Sequence, residues 1–111
     1  MTLTLRVYDL LHGRPAAEVQ ARMEYEVDGC WELARVALTD GTGLLTETGP
    51  DRHRLPVRIV IDARRYFAAQ GVAVTTDEIT VDAGTAGPGV SRDVVLQIAP
   101  HGYAVWTGHS G

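Results

Sequence analysis

Residues 90–108, VSRDVVLQIAPHGYAVWTG, limit the fold more than any other stretch, because side chains alternate on both sides of a single turn. Val94, Leu96, Ile98, Tyr103 and Val105 fall on one face, and Asp93, Val95, Gln97, Ala104 and Trp106 on the other. Pro100, His101 and Gly102 make the turn. The first face reads as core. The second mixes a carboxylate, an amide and an indole, a surface suited to a ligand or a second subunit.

The rest of the chain repeats this two-residue period. Leu3, Leu5 and Val7 alternate with Thr4, Arg6 and Tyr8 in a first strand, which His12, Gly13, Arg14 and Pro15 end. A second strand runs from Val19 to Val27, and Asp28-Gly29 is a strong hairpin signal leading into a third, Trp31 to Leu38. In that third strand Trp31, Leu33, Arg35 and Ala37 are expected to oppose Glu32, Ala34, Val36 and Leu38. Residues 44–54, with Pro50 and His53, read as loop or short edge strand, and Leu55 to Ile61 as a strand with Pro56 near its start. Asp62 suits an N-cap and Gly71 a C′ position, so one helix is predicted around residues 63–70. Arg64 and Arg65 in its first turn oppose the helix dipole, which leaves them solvated or placed for another purpose. Glu78 to Ala83 is a further strand, and Gly84 to Gly89 a turn region. The pattern predicts an all-β antiparallel sandwich of seven to eight strands with one short helix, in a single domain over residues 1–111.

Composition narrows the partners. A net charge of −4 argues against nucleic acid or an anionic membrane, either of which would need a clustered basic surface. No run approaches the roughly 20 apolar residues of a membrane span. The opening residues MTLTLRVYDLL have no basic segment ahead of apolar ones, so no signal peptide is expected and a cytoplasmic location follows. Cys30, the one cysteine, reads as a packing residue. Thr39-Asp40-Gly41-Thr42-Gly43 fails as a phosphate loop, because Thr46 stands where the third glycine is needed and Gly49-Pro50 where a helix should begin. His12, His53 and His101 sit singly in turns, so neither a metal site nor a cofactor is expected.

Four segments carry a family resemblance. IDARRYFAAQG (residues 61–71) resembles the strand-to-helix signature of the transthyretin and 5-hydroxyisourate hydrolase family. VYDLLHGRPAAEV (7–19) is similar to its opening strand and Gly-x-Pro-Ala turn, DGCWELARVALTDGTG (28–43) to its next hairpin and loop, and APHGYAVWTG (99–108) to its closing stretch. The resemblance implies a transthyretin-like sandwich that pairs edge to edge and assembles as a homotetramer, a dimer of dimers. It also implies a small-molecule ligand in a central channel lined by outward side chains of the first strand and of the last two.

The enzyme branch opens the ring of 5-hydroxyisourate, and its functional residues map onto changed positions here. The histidine of its opening strand falls on Arg6, the arginine after its Asp-Gly loop on Leu44, and the histidine of its penultimate strand on Asp93, with the nearby proline on Val95. The C-terminal Tyr-Arg-Gly-Ser becomes Trp106-Thr107-Gly108-His109, followed by Ser110 and Gly111. The implied reading is a divergent enzyme that opens, closes or rearranges a small heterocyclic ring, with specialised metabolism as one setting. Arg6, Asp93 and His109 would be its catalytic residues: Asp93 the general base, Arg6 the clamp for an oxyanion, His109 an acid. Tyr8, Leu44, Gln97, Ala104 and Trp106 would contact the substrate. Two alternatives stand beside it: ordinary 5-hydroxyisourate hydrolysis in urate degradation, and a non-catalytic carrier or interaction module. Arg6 and Asp93 read equally as an ion pair across strands or subunits, Tyr8 and Trp106 as interface contacts, and His109 as part of a frayed tail.

Overall fold

Alternation dictates two layers, and the computed structural model has two. It describes residues 1–48, 55–85 and 89–110, with His109 and Ser110 by backbone alone. The strands are β1 (Thr2–Asp9), β2 (Arg14–Pro15), β3 (Gln20–Val27), β4 (Cys30–Leu38), β5 (Leu44–Thr48), β6 (Pro56–Asp62), β7 (Glu78–Thr85), β8 (Ser91–Ala99) and β9 (Gly102–Ser110), with helix α1 (Ala63–Ala68) after β6. The two-residue β2 brings the number above the expected seven to eight. One sheet has the order β2-β1-β8-β9, with β5 also paired to β1; the other has the order β4-β3-β6-β7. All pairings are antiparallel except β1 with β8, which run parallel.

The inward side chains of both sheets form one core. Leu3, Leu5 and Val7 of β1 meet Ala21, Met23 and Tyr25 of β3, Val57, Ile59 and Ile61 of β6, Ile79 and Val81 of β7, and Val94, Leu96 and Ile98 of β8. Each of the valine, leucine, isoleucine and methionine side chains among them contributes about 1.5–3 kcal/mol on leaving water. Phe67 and Tyr66 of α1 seal one end, their rings edge to face with centroids 5.1 Å apart.

Local signals explain the connections. Asp28 (φ 52°) and Gly29 (φ 80°) form the left-handed two-residue turn between β3 and β4. Asp62 caps α1, its side chain accepting from the Arg65 amide at 2.9 Å. Gly71, at φ 73°, closes the helix as expected, with Val72 N–H donating to the Phe67 carbonyl and Gly71 N–H to that of Ala68. Arg64 pairs with Asp77 at 2.9 Å.

Three expectations need correction. Tyr103 and Val105 share the face of Ile98 and Leu96, yet they are 51% and 40% exposed. They sit on β9, an edge strand, where the core does not cover them. In β4 a register shift opposite Met23 and Glu24 turns Trp31, Leu33, Val36 and Leu38 to the same outer face, mixing the two expected sets. Arg35 is left facing inward, where it pairs with Glu47 of β5 across the open side of the sandwich. Cys30 is exposed rather than packed, because it opens this same edge strand directly after the turn. Of the loop readings, residues 44–48 are strand, while 49–54, with Pro50 and His53, lie outside the described residues, as do 86–88.

Candidate functional site

The pairing register assembles the sequence candidates on the outer face of the β1 sheet. Leu44 stands opposite Arg6, Arg6 beside Val95, and Val95 opposite Trp106, which makes one row across four strands. The next row is Pro15, Tyr8, Gln97 and Ala104, and the row on the other side is Thr46, Thr4, Asp93 and Gly108. Strands in a sheet lie about 4.8 Å apart and alternate residues of one strand about 6.6 Å apart, so these three rows cover about 14 by 13 Å, ample room for a small ring system and its substituents. Tyr8 is 37% and Trp106 54% exposed, an aromatic surface open to solvent in a single protomer. His109 lies on the backbone of β9 opposite Arg92, but its side chain falls outside the described residues.

The charges of this face are left unsettled within one chain. Arg22, Arg35, Arg58 and Arg64 all hold carboxylates in ion pairs, whereas no described carboxylate lies within ion-pair distance of Arg6. Asp93 is one register step away from Arg6, beside Thr4, and forms no ion pair with it in the protomer. On the other sheet's outer face, by contrast, Arg58 binds Glu24 at 2.6 Å and stacks over Trp31 at 4.2 Å. That surface is paired off, whereas Arg6 has no ion pair among the described residues.

Asp40 prepares the entry to the face and was not singled out in the sequence. Its Oδ1 accepts from the Thr42 amide (2.8 Å), the Thr42 hydroxyl (2.7 Å) and the Leu44 amide (3.1 Å), which fixes the chain as it enters β5. Those hydrogen bonds hold its carboxyl below the ordinary value, with the Arg6 guanidinium adding a smaller pull. Gly43, at φ 76°, packs so closely on β1 that a side chain there would collide with the Val7 carbonyl oxygen.

A second polar cluster sits under the same sheet. Asp9, 1% exposed, accepts from the Tyr66 hydroxyl at 2.7 Å, from His12 Nδ1 at 2.7 Å and from the His12 amide at 3.0 Å. Burial pushes its carboxyl up, but the hydrogen bonds outweigh burial and hold it below its ordinary value. Burial and the bond to Asp9 push the Tyr66 phenol the other way, above its usual range. His12 is thus not a solitary turn histidine, and His101 likewise contacts the Thr75 hydroxyl at 3.0 Å. The one available signal was periodicity: position 9 continues the buried series 3, 5, 7, and a carboxylate there requires partners.

Comparison with known proteins agrees with this architecture. The family model described as "HIUase/Transthyretin family" matches residues 3–108. A 5-hydroxyisourate hydrolase of Salmonella typhimurium is 23% identical over 108 residues, covering 96% of this chain and 79% of the relative. Among solved structures, transthyretin from Sparus aurata superposes with a TM-score of 0.84 at 21% identity, covering 98% of this chain and 97% of that one. A sea bream transthyretin in complex with thyroxine reaches 0.87 at 22% identity, with 97% and 95% covered. The 5-hydroxyisourate hydrolase of Klebsiella pneumoniae reaches 0.82 at 20% identity, with 97% and 99% covered. A family match over nearly the full length, on a two-sheet sandwich with one short helix, means that this chain belongs to the HIUase/transthyretin family.

Proposed function

We propose that this chain is a divergent member of its family, an enzyme that opens, closes or rearranges a small heterocyclic ring held between subunits of a homotetramer. The observation that supports it most is the row Leu44, Arg6, Val95 and Trp106, in which a guanidinium with no described carboxylate partner stands between two aliphatic side chains, with an exposed indole at the end of the row. Arg6 clamps an anion or the oxyanion that develops on a ring carbonyl. Asp93 takes a proton, and His109 is the candidate to return one. Tyr8 and Trp106 stack on the ring, while Leu44, Gln97 and Ala104 shape the floor. Relative to the hydrolase pattern, the guanidinium has moved from the Leu44 position to its neighbour across the β1–β5 ladder. The positive charge is kept within one strand spacing, but both histidines of the hydrolase set are gone from these strands.

Ordinary 5-hydroxyisourate hydrolysis is therefore not the reaction expected here. Purified protein added to freshly generated 5-hydroxyisourate is expected to leave its spontaneous decay unchanged; strong acceleration, lost in Asp93→Ala, would restore that activity. A screen of cyclic amides against the protein tests the reading itself. Turnover lost in both Arg6→Gln and Asp93→Asn supports it. Tight binding of a planar ligand without turnover supports the carrier reading, which the basic side chain at Arg6 also fits.

A further inference from the structure

We infer that the cleft between β2 and α1 is a second binding site, separate from the sheet face, for a small ring-sized organic carboxylate. The cleft has a volume of about 580 Å³, within the usual range for small-molecule sites. Arg14 reaches it from β2 and Arg65 from α1, so two guanidiniums come to one space from separate elements.

Among the described residues neither has a carboxylate within ion-pair distance, in a chain whose net charge is −4, and Arg14 has only the neutral Tyr66 hydroxyl beside it. The adjacent Arg64 shows what a structural arginine does here: it turns away to Asp77. The nearest buried carboxylate cannot serve the pair, because Asp9 is already occupied by Tyr66 and by two donors of His12. Glu18 lines the cleft with one opposing charge, but it forms no ion pair with either arginine. An excess of positive charge therefore faces the space. Guanidinium forks match the plane and the paired oxygens of a carboxylate.

The remaining walls suit an apolar body. Leu38, half exposed, contributes one side with Pro15 and Ala17, and Tyr66 and Ala69 line the helix side. An aromatic or alicyclic carboxylate satisfies both parts of the lining at once. A purely inorganic anion would leave the Leu38 side wet.

Benzoate is the probe, titrated into the full-length, isotope-labelled protein with amide chemical shifts as the readout. Saturable shifts are expected at Gly41, Ala69 and Gln70. The dissociation constant should rise about fivefold or more in Arg65→Gln and in Arg14→Gln, a change a lost charge-assisted bond readily produces, and stay unchanged in Arg64→Gln. Ala69→Glu, on the exposed side of the helix, should abolish binding by placing a carboxylate in the cleft. Benzamide, the uncharged isostere, should not saturate. Shifts that stay linear, equal affinity in the Arg65→Gln variant, equal binding of inorganic phosphate, or shifts confined to Arg6 and Trp106 would each overturn the assignment.

Discussion

The Tyr66 hydroxyl donates a 2.7 Å hydrogen bond to the Asp9 carboxylate, joining the helix to the end of the first strand across 57 residues of sequence. This bond holds α1 against the sheet from beneath and keeps a buried charge satisfied. Its partner His12 ties the β1–β2 turn to the same carboxylate.

Tyr66→Phe keeps the ring packed on Phe67 and removes only the hydroxyl. A buried carboxylate that loses one donor costs about 1–3 kcal/mol. Urea denaturation should show a lower midpoint with an unchanged slope. A midpoint equal to that of the parent would mean that the two His12 donors alone satisfy Asp9.

The same carboxylate sets an acid limit. Its folded pKa is lowered, so the unfolded state binds its proton more readily. Its stabilising contribution is then fully present above the ordinary carboxylate value of about 3.9 and is lost as pH falls through that value toward the folded pKa. The urea midpoint should drop as acid is added across that window, and Asp9→Asn should show a shallower drop. Parallel acid profiles for the two proteins would assign the acid sensitivity to other carboxylates.

Two glycines with similar backbone angles should respond differently to alanine. Gly29→Ala meets open space, and only the left-handed conformation costs, about 1–2 kcal/mol. Gly43→Ala meets the Val7 carbonyl oxygen as well, so β5 must shift and the loss should reach about 3 kcal/mol or more. Thermal melts of the two variants, side by side, decide this. Equal losses would show that the loop before β5 yields.

The outer face of the β1 sheet should also govern assembly. Light scattering is expected to report about four chains per particle, in keeping with closed point-group symmetry. Val95→Glu places a charge in the middle of the central row and should reduce the particle to dimers or monomers with the circular dichroism spectrum retained. A persistent tetramer in that variant would put the subunit contact elsewhere.

Much of this was legible because strands have a period of two. Val94, Leu96 and Ile98 faced inward as read, and Arg6, Tyr8, Asp93, Val95, Gln97, Ala104 and Trp106 share the opposite face. Periodicity reports direction, however, and not depth: Tyr103 and Val105 point toward the core side and are still exposed, because whether a strand lies at an edge is a property of the whole sheet. The shift in β4 was hidden for a related reason, since a bulge adds one residue without changing composition. The contact between Asp9 and Tyr66 joins two segments whose meeting depends on how the strands are ordered. The carboxylate at a core-facing position signalled a partner, but nothing local named it. The clefts that Arg14 and Arg65 share was equally invisible, since a turn and a helix come together only in the finished sandwich.

Synthesis runs from one end of the chain to the other, and the parallel ladder of β1 and β8 places Thr2 beside Ser91. The edge of β1 that β8 covers therefore stays open until the chain has been made through β8. Such long-range closure slows folding, and a strand edge left open is a template for pairing with other chains. A message truncated before β8 would leave Arg6 and Leu44 on β1 and β5 without Asp93, Val95 and Trp106, so the central row would be cut in half.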